Sequence, residues 1–366
     1  MANYKKYNIF IFLSTVARNI FEIFSSVFLY KMGYNLKEIM LFYFILYITA
    51  ILVNYISLKL LYYINGRWIL IFSSLLFSYS FYYLINMDNT ITNLIIFSII
   101  NSIASYTYHS LRHYFAIKIL PKDNKQTSTL NILIFTYIAL IFAPYIGAFV
   151  TEKYGIIVTV ILSLVFSILG IIPILKLDIK KQTKKKIKLK QVYKKMPKNK
   201  IKFFILEQFK VIFLSLQPLY LYLNISSKLE YIGIFNIILG IASLTFIYIF
   251  IKKINLNKYF IYLNIMFIIT LLFKINILNK NILLVIAFFE GLFLKMYETV
   301  SLTNIYNKDK NNVIEYLIIC EIIFCLTRSI ICLACIFILD LKLILYLMIF
   351  GILLSGFVKV NKKCWN

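Results

Sequence analysis

The stretch LDIKKQTKKKIKLKQVYKKMPKNKIK, residues 177–202, divides the 366-residue chain into two apolar halves of similar length. Lys is the commonest residue of this strip, whereas 61% of the whole chain is hydrophobic. The strip is too short and too charged to bury a core of its own. On either side, apolar runs long enough to span a bilayer follow one another, since its hydrocarbon core needs about 20 apolar residues of helix. The sequence therefore predicts an all-α polytopic membrane protein with a charged linker.

The apolar runs, separated by charges and turn residues, predict about twelve transmembrane helices, six in each half. We number them spans one to twelve. They lie at 8–30, 38–62, 67–86, 92–117, 127–150 and 155–175, then at 203–223, 231–251, 258–278, 281–303, 313–338 and 342–360. The predicted domains are an N-terminal six-helix bundle, 1–176, the Lys-rich linker, 177–202, and a C-terminal six-helix bundle, 203–366.

The net charge of +26 comes from Lys and Arg residues that lie mostly between the apolar runs. This distribution is typical of membrane topology and argues against nucleic acid as a partner. Cytoplasmic loops are enriched in Lys and Arg. With the N-terminus inside, 28 basic residues fall in inner segments and 7 in outer segments. This bias predicts a multi-pass protein of the cell membrane with both termini cytoplasmic and membrane lipids as partners. The abundance of Ile, Lys, Asn, Tyr and Phe favours an AT-rich bacterial source.

A short motif in span five connects the chain to a known family. The stretch APYIGA, residues 143–148, resembles the fifth-helix motif G-P-x-x-G-G of the major facilitator superfamily, with Pro144 and Gly147 at matching positions. Small residues there allow close helix approach, and Pro bends the helix. The loop LPKDNK, residues 120–125, also looks like that family. With the six-plus-six arrangement, the resemblance covers the whole chain, and it implies a poorly characterised bacterial-type member with that fold.

Two departures from the family pattern limit what the resemblance implies. The family loop G-x-x-x-D-R-x-G-R between spans two and three is reduced here to Gly66 and Arg67. The fourth-helix Arg of many proton-coupled exporters would align near Ser98, so it is missing. Arg67 is still expected to act in the conformational switch, because its planar fork can hold two acceptors at helix ends.

Charged side chains recur in spans one, four, seven and ten, which the resemblance implies line a central cavity. An ionised side chain at mid-bilayer costs about 2.5–3.5 kcal/mol on insertion scales, so such groups usually face a cavity or a partner. The predicted cavity residues are Arg18, Glu22, Asn101, His109, Arg112, Glu207, Lys210, Glu290, Lys295 and Glu298, with Glu321 and Arg328 on span eleven.

Other interpretations of these charges stay open. Arg18 with Glu22, and Glu321 with Arg328, are candidates for structural pairs that lock helices together. Three residues near span ends are candidates for snorkelling to the interface, namely Lys210, Lys295 and Glu298. His109 and His113 lie four residues apart, but no third metal ligand is evident, so no metal site is expected. Either His, or Glu22 or Glu290, is a candidate carrier of a coupling proton.

The resemblance and the intramembrane charges together predict a secondary active transporter that moves a small solute by alternating access. The chain has no G-x-x-x-x-G-K-[ST] loop, so the predicted coupling is to a proton or another ion, and no cofactor is expected. Mixed charges favour a zwitterionic, anionic or polyhydroxylated solute. The alternatives are a non-transporting scaffold or sensor with the same fold, and an exporter of lipophilic compounds. No enzyme site stands out.

The topology is tested by reporter fusions at Lys202 and Asn366. We expect both reporters to give a cytoplasmic signal, because basic residues are retained on the inner side during insertion. An external signal at either position would contradict the arrangement of twelve spans.

Overall fold

A computed structural model describes residues 2–119, 125–177, 189–250, 256–306 and 312–358. Within these ranges the chain forms helices and turns, and no strand occurs. Three predicted features lie partly outside the described residues: the loop LPKDNK, over 120–124, the Lys-rich linker, over 178–188, and the C-terminus, over 359–366.

The N-terminal half is built from seven helices, which form spans one to six. They are α1 (Ala2–Asn19), α2 (Ser25–Lys31), α3 (Leu36–Leu60), α4 (Gly66–Asn86), α5 (Ile91–Ile119), α6 (Lys125–Tyr154) and α7 (Ile156–Leu175). Local signals set several of these ends. Asn35 and Glu38 exchange side-chain and backbone hydrogen bonds in a capping box at the start of α3. Gly155 takes φ 89° between α6 and α7, a backbone conformation that favours glycine.

The described helices after α7 comprise one short linker helix and the six predicted spans of the C-terminal half. They are α8 (Leu189–Lys194), α9 (Lys198–Asn224), α10 (Leu229–Phe250), α11 (Leu256–Asn276), α12 (Lys280–Tyr306), α13 (Val313–Cys335) and α14 (Leu341–Gly356). Among the described residues, ten spans are long and apolar enough to cross a membrane, with α1 and α2 counted as one. The charged helix α12 and the 16-residue α14 are not among the ten. The structure is compatible with twelve spans.

The helices pack mainly within their own half, and a small set joins the halves. In the first half α1 contacts α6 and α7, while α5 contacts α3 and α4; in the second, α9 contacts α13 and α14, while α12 contacts α10 and α11. Between the halves α6 packs against α10, and α3 packs against α13. The outer surface is apolar, as on α7, where Ile157, Ile161, Ile168 and Ile172 are exposed. This surface fits contact with lipid.

The first span differs from its prediction as one continuous helix. The helix α1 ends at Asn19, a 3-10 turn follows at Glu22–Phe24, and α2 begins at Ser25. The close approach of α6 coincides with this break. A Cβ placed on Gly147 of α6 would overlap the backbone carbonyl of Ile20. The break is a tertiary feature, because span one contains neither Pro nor Gly in this region to interrupt a helix.

The close contact at Gly147 gives a test of the fold. Gly147→Ala is expected to lower the melting temperature of the purified protein, because overpacking a tight contact costs about 1–3 kcal/mol. The matched control is Gly170→Ala on α7, where an added Cβ would meet Leu13 Cβ at an ordinary 3.7 Å. Equal melting temperatures for the two variants would show that the approach of α6 to Ile20 is looser than described.

Candidate solute cavity

A cavity of about 530 Å³ lies between the two halves of the molecule. Its wall is formed by the region of the break in span one and by α3, α5 and α6 from the first half. Helices α9, α10, α12 and α13 complete the wall from the second half. Ligand pockets for small molecules have volumes of about 300–1,000 Å³, so this space suits a small solute.

Nine of the twelve predicted cavity residues line this space. They are Glu22, Asn101, His109, Arg112, Glu207, Lys210, Glu298, Glu321 and Arg328. The other three, Arg18, Glu290 and Lys295, are buried but are not among the lining residues. Whether any of the twelve binds a solute or an ion stays a prediction.

Arg18 holds helices together instead of facing the cavity. Its guanidinium lies between two aromatic rings, 4.2 Å from the Phe77 centroid and 4.0 Å from the Tyr108 centroid. It also donates a hydrogen bond of 3.3 Å to Ser105 Oγ on α5. Within the part of the chain that the structure describes, Arg18 forms no ion pair with Glu22. Aromatic faces and hydroxyls thus replace water around this cation.

Glu290 is sealed in a dry ion pair, which corrects its predicted position. Lys274 Nζ lies 2.6 Å from the Glu290 carboxylate, and the two side chains are 1% and 0% exposed. The rings of Phe213 and Phe235 lie 4.7 and 5.6 Å from the ammonium. Lys274 is one of the 7 basic residues counted in outer segments. It lies within α11, and its charge is compensated by a residue sixteen positions away. The position of Glu290 along the sequence does not reveal that Lys274 is its partner.

Lys295 and Glu298 form a cluster with Tyr137 across the two halves. Lys295 Nζ lies 4.0 Å from the Glu298 carboxylate and 3.7 Å from the Tyr137 ring centroid. Tyr137 belongs to α6, and its hydroxyl hydrogen-bonds to the same carboxylate. Lys295 is 0% exposed, so it does not snorkel to the interface. Glu298 lines the cavity, whereas Lys295 is not among the lining residues.

A second pair in the wall joins α9 to α12. Lys210 Nζ lies 3.4 Å from the Glu207 carboxylate, which also accepts a hydrogen bond from Ser301. Lys210 lies 4.9 Å from the ring centroid of Tyr297. Lys210 is 5% exposed, which argues against snorkelling for this residue too. The pair therefore presents polar atoms to the cavity with its charges largely compensated.

Arg328 on α13 spans the cavity to the opposite half. Its Nε donates to Gln208 Oε1 at 2.7 Å, and its Nη1 donates to the Tyr106 hydroxyl of α5 at 3.1 Å. The alternative of a structural pair with Glu321 is not seen: among the described residues, no ion pair within 4.0 Å joins them. Both side chains face the cavity.

The α5 wall brings several polar groups together. Arg112 donates to Thr136 Oγ1 of α6 at 3.3 Å, and its carbonyl accepts a hydrogen bond of 2.7 Å from Tyr7. The His109 ring lies 6.1 Å from the ring of Tyr106 and 5.5 Å from that of Tyr108. Asn101, Ser105 and Arg112 of α5 line the cavity, whereas Tyr108 packs beneath Arg18.

Hydrogen bonds join the halves on both sides of the cavity. At the end of the molecule that contains the linker helix α8, which we call the linker end, Tyr62 donates to a carboxylate oxygen of Glu315 at 3.4 Å. Burial and this carboxylate raise the pKa of Tyr62 to about 12, so its hydroxyl remains a neutral donor. Toward the other end, Ser26 and Tyr43 both donate to the backbone carbonyl of Ser215, each at 3.2 Å.

The predicted switch residues occupy helix ends and interiors of the first half. Gly66 is the first residue of α4, and Pro144 lies inside α6. Arg67 Nη1 donates to the carbonyl of Leu175, the last residue of α7, at 3.3 Å. It therefore reaches a helix end, as expected, but one in its own half. Its role in switching stays a prediction.

Several residues of these clusters were not singled out from the sequence, and four of them carry the contacts described above. Gln208, next to Glu207, is a polar residue within an apolar span and could have been selected on that ground. Tyr106 and Tyr137 are two of 29 Tyr residues, and their sequence context gives no signal. Lys274 falls within the predicted span 258–278 and could have been selected as an intramembrane charge, whereas its pairing with Glu290 could not be predicted.

Comparison with solved structures identifies the fold. A bacterial homologue of the iron transporter ferroportin, in an outward-facing state, has a TM-score of 0.69 at 12% identity, covering 97% of this chain and 98% of that one. The nucleoside transporter NupG gives 0.67 at 12% identity, covering 98% of each chain. A point mutant of NupG gives 0.68 at 13% identity, covering 97% and 98%. No family model and no curated protein matches the chain.

These similarities extend over nearly the whole of each chain, which confirms the predicted fold class. The protein is a multi-pass membrane protein with the major facilitator fold, and the structures it resembles are those of membrane transporters. At this identity the likeness shows the fold and not the solute.

The dry pair gives a test of how buried charge affects stability. Glu290→Leu alone is expected to lower the melting temperature sharply, because breaking a buried ion pair costs about 3–5 kcal/mol in soluble proteins. The double variant Lys274→Met with Glu290→Leu is expected to recover most of that loss. Lys228→Met, at an exposed Lys, is the control for loss of one charge. A double variant no more stable than Glu290→Leu would contradict the pairing.

Proposed function

We propose that the protein is a secondary active transporter, which moves a small polar or charged solute across the cell membrane by alternating access. The observation that carries this proposal is the cavity between the halves, whose wall holds four carboxylates, two guanidiniums and an ammonium. Transporters of this architecture bind solute near the bilayer midplane, between two bundles that rock against each other. Charges at such depth are expensive and mark solute or ion pathways by default.

Alternating access requires contacts between the halves that break in turn. The bond from Tyr62 to Glu315 serves as a contact at the linker end, and the two bonds to the Ser215 carbonyl serve nearer the opposite end. Gly147 and Pro144 allow α6 to move against the broken first span. Arg67 stabilises the end of α7 in one of the two states.

Proton or ion coupling is the second part of the proposal. Glu22 and His109 line the cavity, so a proton could reach them together with the solute. Glu290 is the weaker candidate of those considered, because its carboxylate is 0% exposed and already binds Lys274. The Tyr137, Lys295 and Glu298 cluster is a further candidate, since it joins the halves beside the cavity. An imposed pH gradient that accelerates uptake would support proton coupling.

The last part of the proposal concerns the orientation of the protein in the membrane and its partners. Both termini and the linker, 177–202, lie at the cytoplasmic face of a bacterial cell membrane, and the linker separates two six-helix bundles. Lipids and a small solute are the partners. Two alternatives remain distinct: a scaffold or sensor without transport, and an exporter of lipophilic compounds. The aromatic wall residues Tyr43, Tyr47 and Phe324 favour the exporter over the scaffold.

The experiment is uptake into liposomes that contain the purified protein, with a panel of amino acids, nucleosides, sugars, organic anions and a lipophilic dye. We expect saturable flux of at least one polar solute. Leu214→Trp, which fills the cavity wall, is expected to reduce that flux by about tenfold or more. Ile241→Trp, at an exposed position on α10, is the matched control and should transport normally.

The alternatives give different results in the same assay. Flux of the dye alone would favour the lipophilic exporter. Folded protein that moves no member of the panel, with or without a pH gradient, would favour the scaffold or sensor.

A further inference from the structure

Three residues of α13 form a bipolar stripe along the cavity wall: Glu321, Phe324 and Arg328. They are spaced by three and four residues, so they lie on one face of the helix. The stripe therefore runs from a carboxylate, past an aromatic ring, to a guanidinium. The rise between Glu321 and Arg328 is about 10 Å along the helix axis.

The two charges of this stripe have no counterion within 4.0 Å among the described residues, unlike the two ion pairs in the cavity wall. Glu207 is paired with Lys210, and Glu298 lies 4.0 Å from Lys295. Glu321 is 3% exposed, and over the described residues its carboxylate has neither a hydrogen bond nor an ion pair within 4.0 Å. A buried carboxylate that faces a cavity without a partner points to a ligand that supplies one.

Arg328 is satisfied only by neutral acceptors. Its described hydrogen bonds go to the Gln208 amide oxygen and the Tyr106 hydroxyl, through Nε and Nη1. An Arg side chain has five N–H donors in a fixed fork, which matches a carboxylate in two parallel bonds. Two donors are used, so the remaining donors suit an incoming carboxylate. The ring centroids of Tyr47 and Phe324 lie 5.5 and 6.0 Å from the guanidinium carbon.

We propose that the cavity binds an elongated zwitterion along α13, with its carboxylate on Arg328, its cationic group on Glu321 and its methylene chain against Phe324. This inference rests on the proposed transport function and names its solute class. The rise of about 10 Å between the two residues favours an elongated zwitterion over a short one, whose two charges lie only a few ångströms apart. Because Arg328 also bonds to Tyr106 of the other half, the carboxylate binds at a contact between the halves.

The test uses four small molecules that separate the two charges and the chain length. They are 6-aminohexanoate, hexanoate, hexylamine and glycine, added to the purified protein. We expect 6-aminohexanoate to raise the melting temperature and to bind about tenfold or more tightly than each of the others, since hydrogen bonds to charged groups contribute at both ends. Hexanoate and 6-aminohexanoate binding equally would overturn the role of Glu321. Glycine binding as tightly would overturn the elongated geometry.

Two variants assign the ends independently. Glu321→Gln should abolish the preference for 6-aminohexanoate over hexanoate, and Arg328→Gln should abolish its preference over hexylamine. Arg328→Lys keeps the charge without the planar fork and should retain part of the preference if Arg328→Gln fails to fold. Glu230→Gln, which removes one carboxylate from α10 at a position that does not line the cavity, is the matched control and should keep every preference. Unchanged preferences in Glu321→Gln would contradict the proposal.

Transport assays distinguish failure of this inference from failure of the proposed function. If the liposomes move another polar solute but neither bind nor move 6-aminohexanoate, the zwitterion site is wrong and the transporter stands. If 6-aminohexanoate binds as expected and no solute crosses, the site stands and the transport function falls.

Discussion

Ionised side chains within hydrocarbon must find a partner, a cavity or an aromatic face, and the interior of this protein is arranged around that constraint. Three solutions occur side by side. Lys274 and Glu290 neutralise each other in a dry contact. Arg18 lies between aromatic rings and bonds to α5. Arg328 faces the cavity and bonds to neutral acceptors from both halves. Only the last solution leaves donors for a solute.

The same constraint separates structural charges from candidate functional ones. A charge with a buried counterion gains little from a ligand, since the ligand would have to displace that counterion. A charge held by amides and hydroxyls can exchange them for a carboxylate at smaller cost. By this criterion Glu290 is a structural charge and the α13 stripe is a candidate site. Arg18 has no counterion within the described part of the chain, but it is not among the residues that line the cavity. From their positions in the sequence alone, all of these charged residues were equally good candidates for the cavity.

Contacts between the two halves involve the same charged and polar residues. The α6–α10 and α3–α13 contacts join the halves along the cavity, and Tyr137 and Arg328 carry polar bonds across it. Each of these bonds involves a group of the candidate site or its neighbour. A solute that competes for them therefore acts on the same contacts that hold the halves together, which is the coupling that alternating access requires.

The sequence by itself determined the all-helical membrane fold, and it predicted the division by the Lys-rich strip and the candidate site residues Asn101 and Arg112 on α5. These features follow from the length of the apolar runs and from the helical period of polar residues, both of which are local properties of the sequence. Tertiary structure alone decided which charges meet. The break near Ile20 arises where Gly147 lets α6 approach, and Glu290 is compensated by a Lys on another helix. Such partners are distant in sequence, so no local pattern encodes them, and only packing determines which charges remain for a solute.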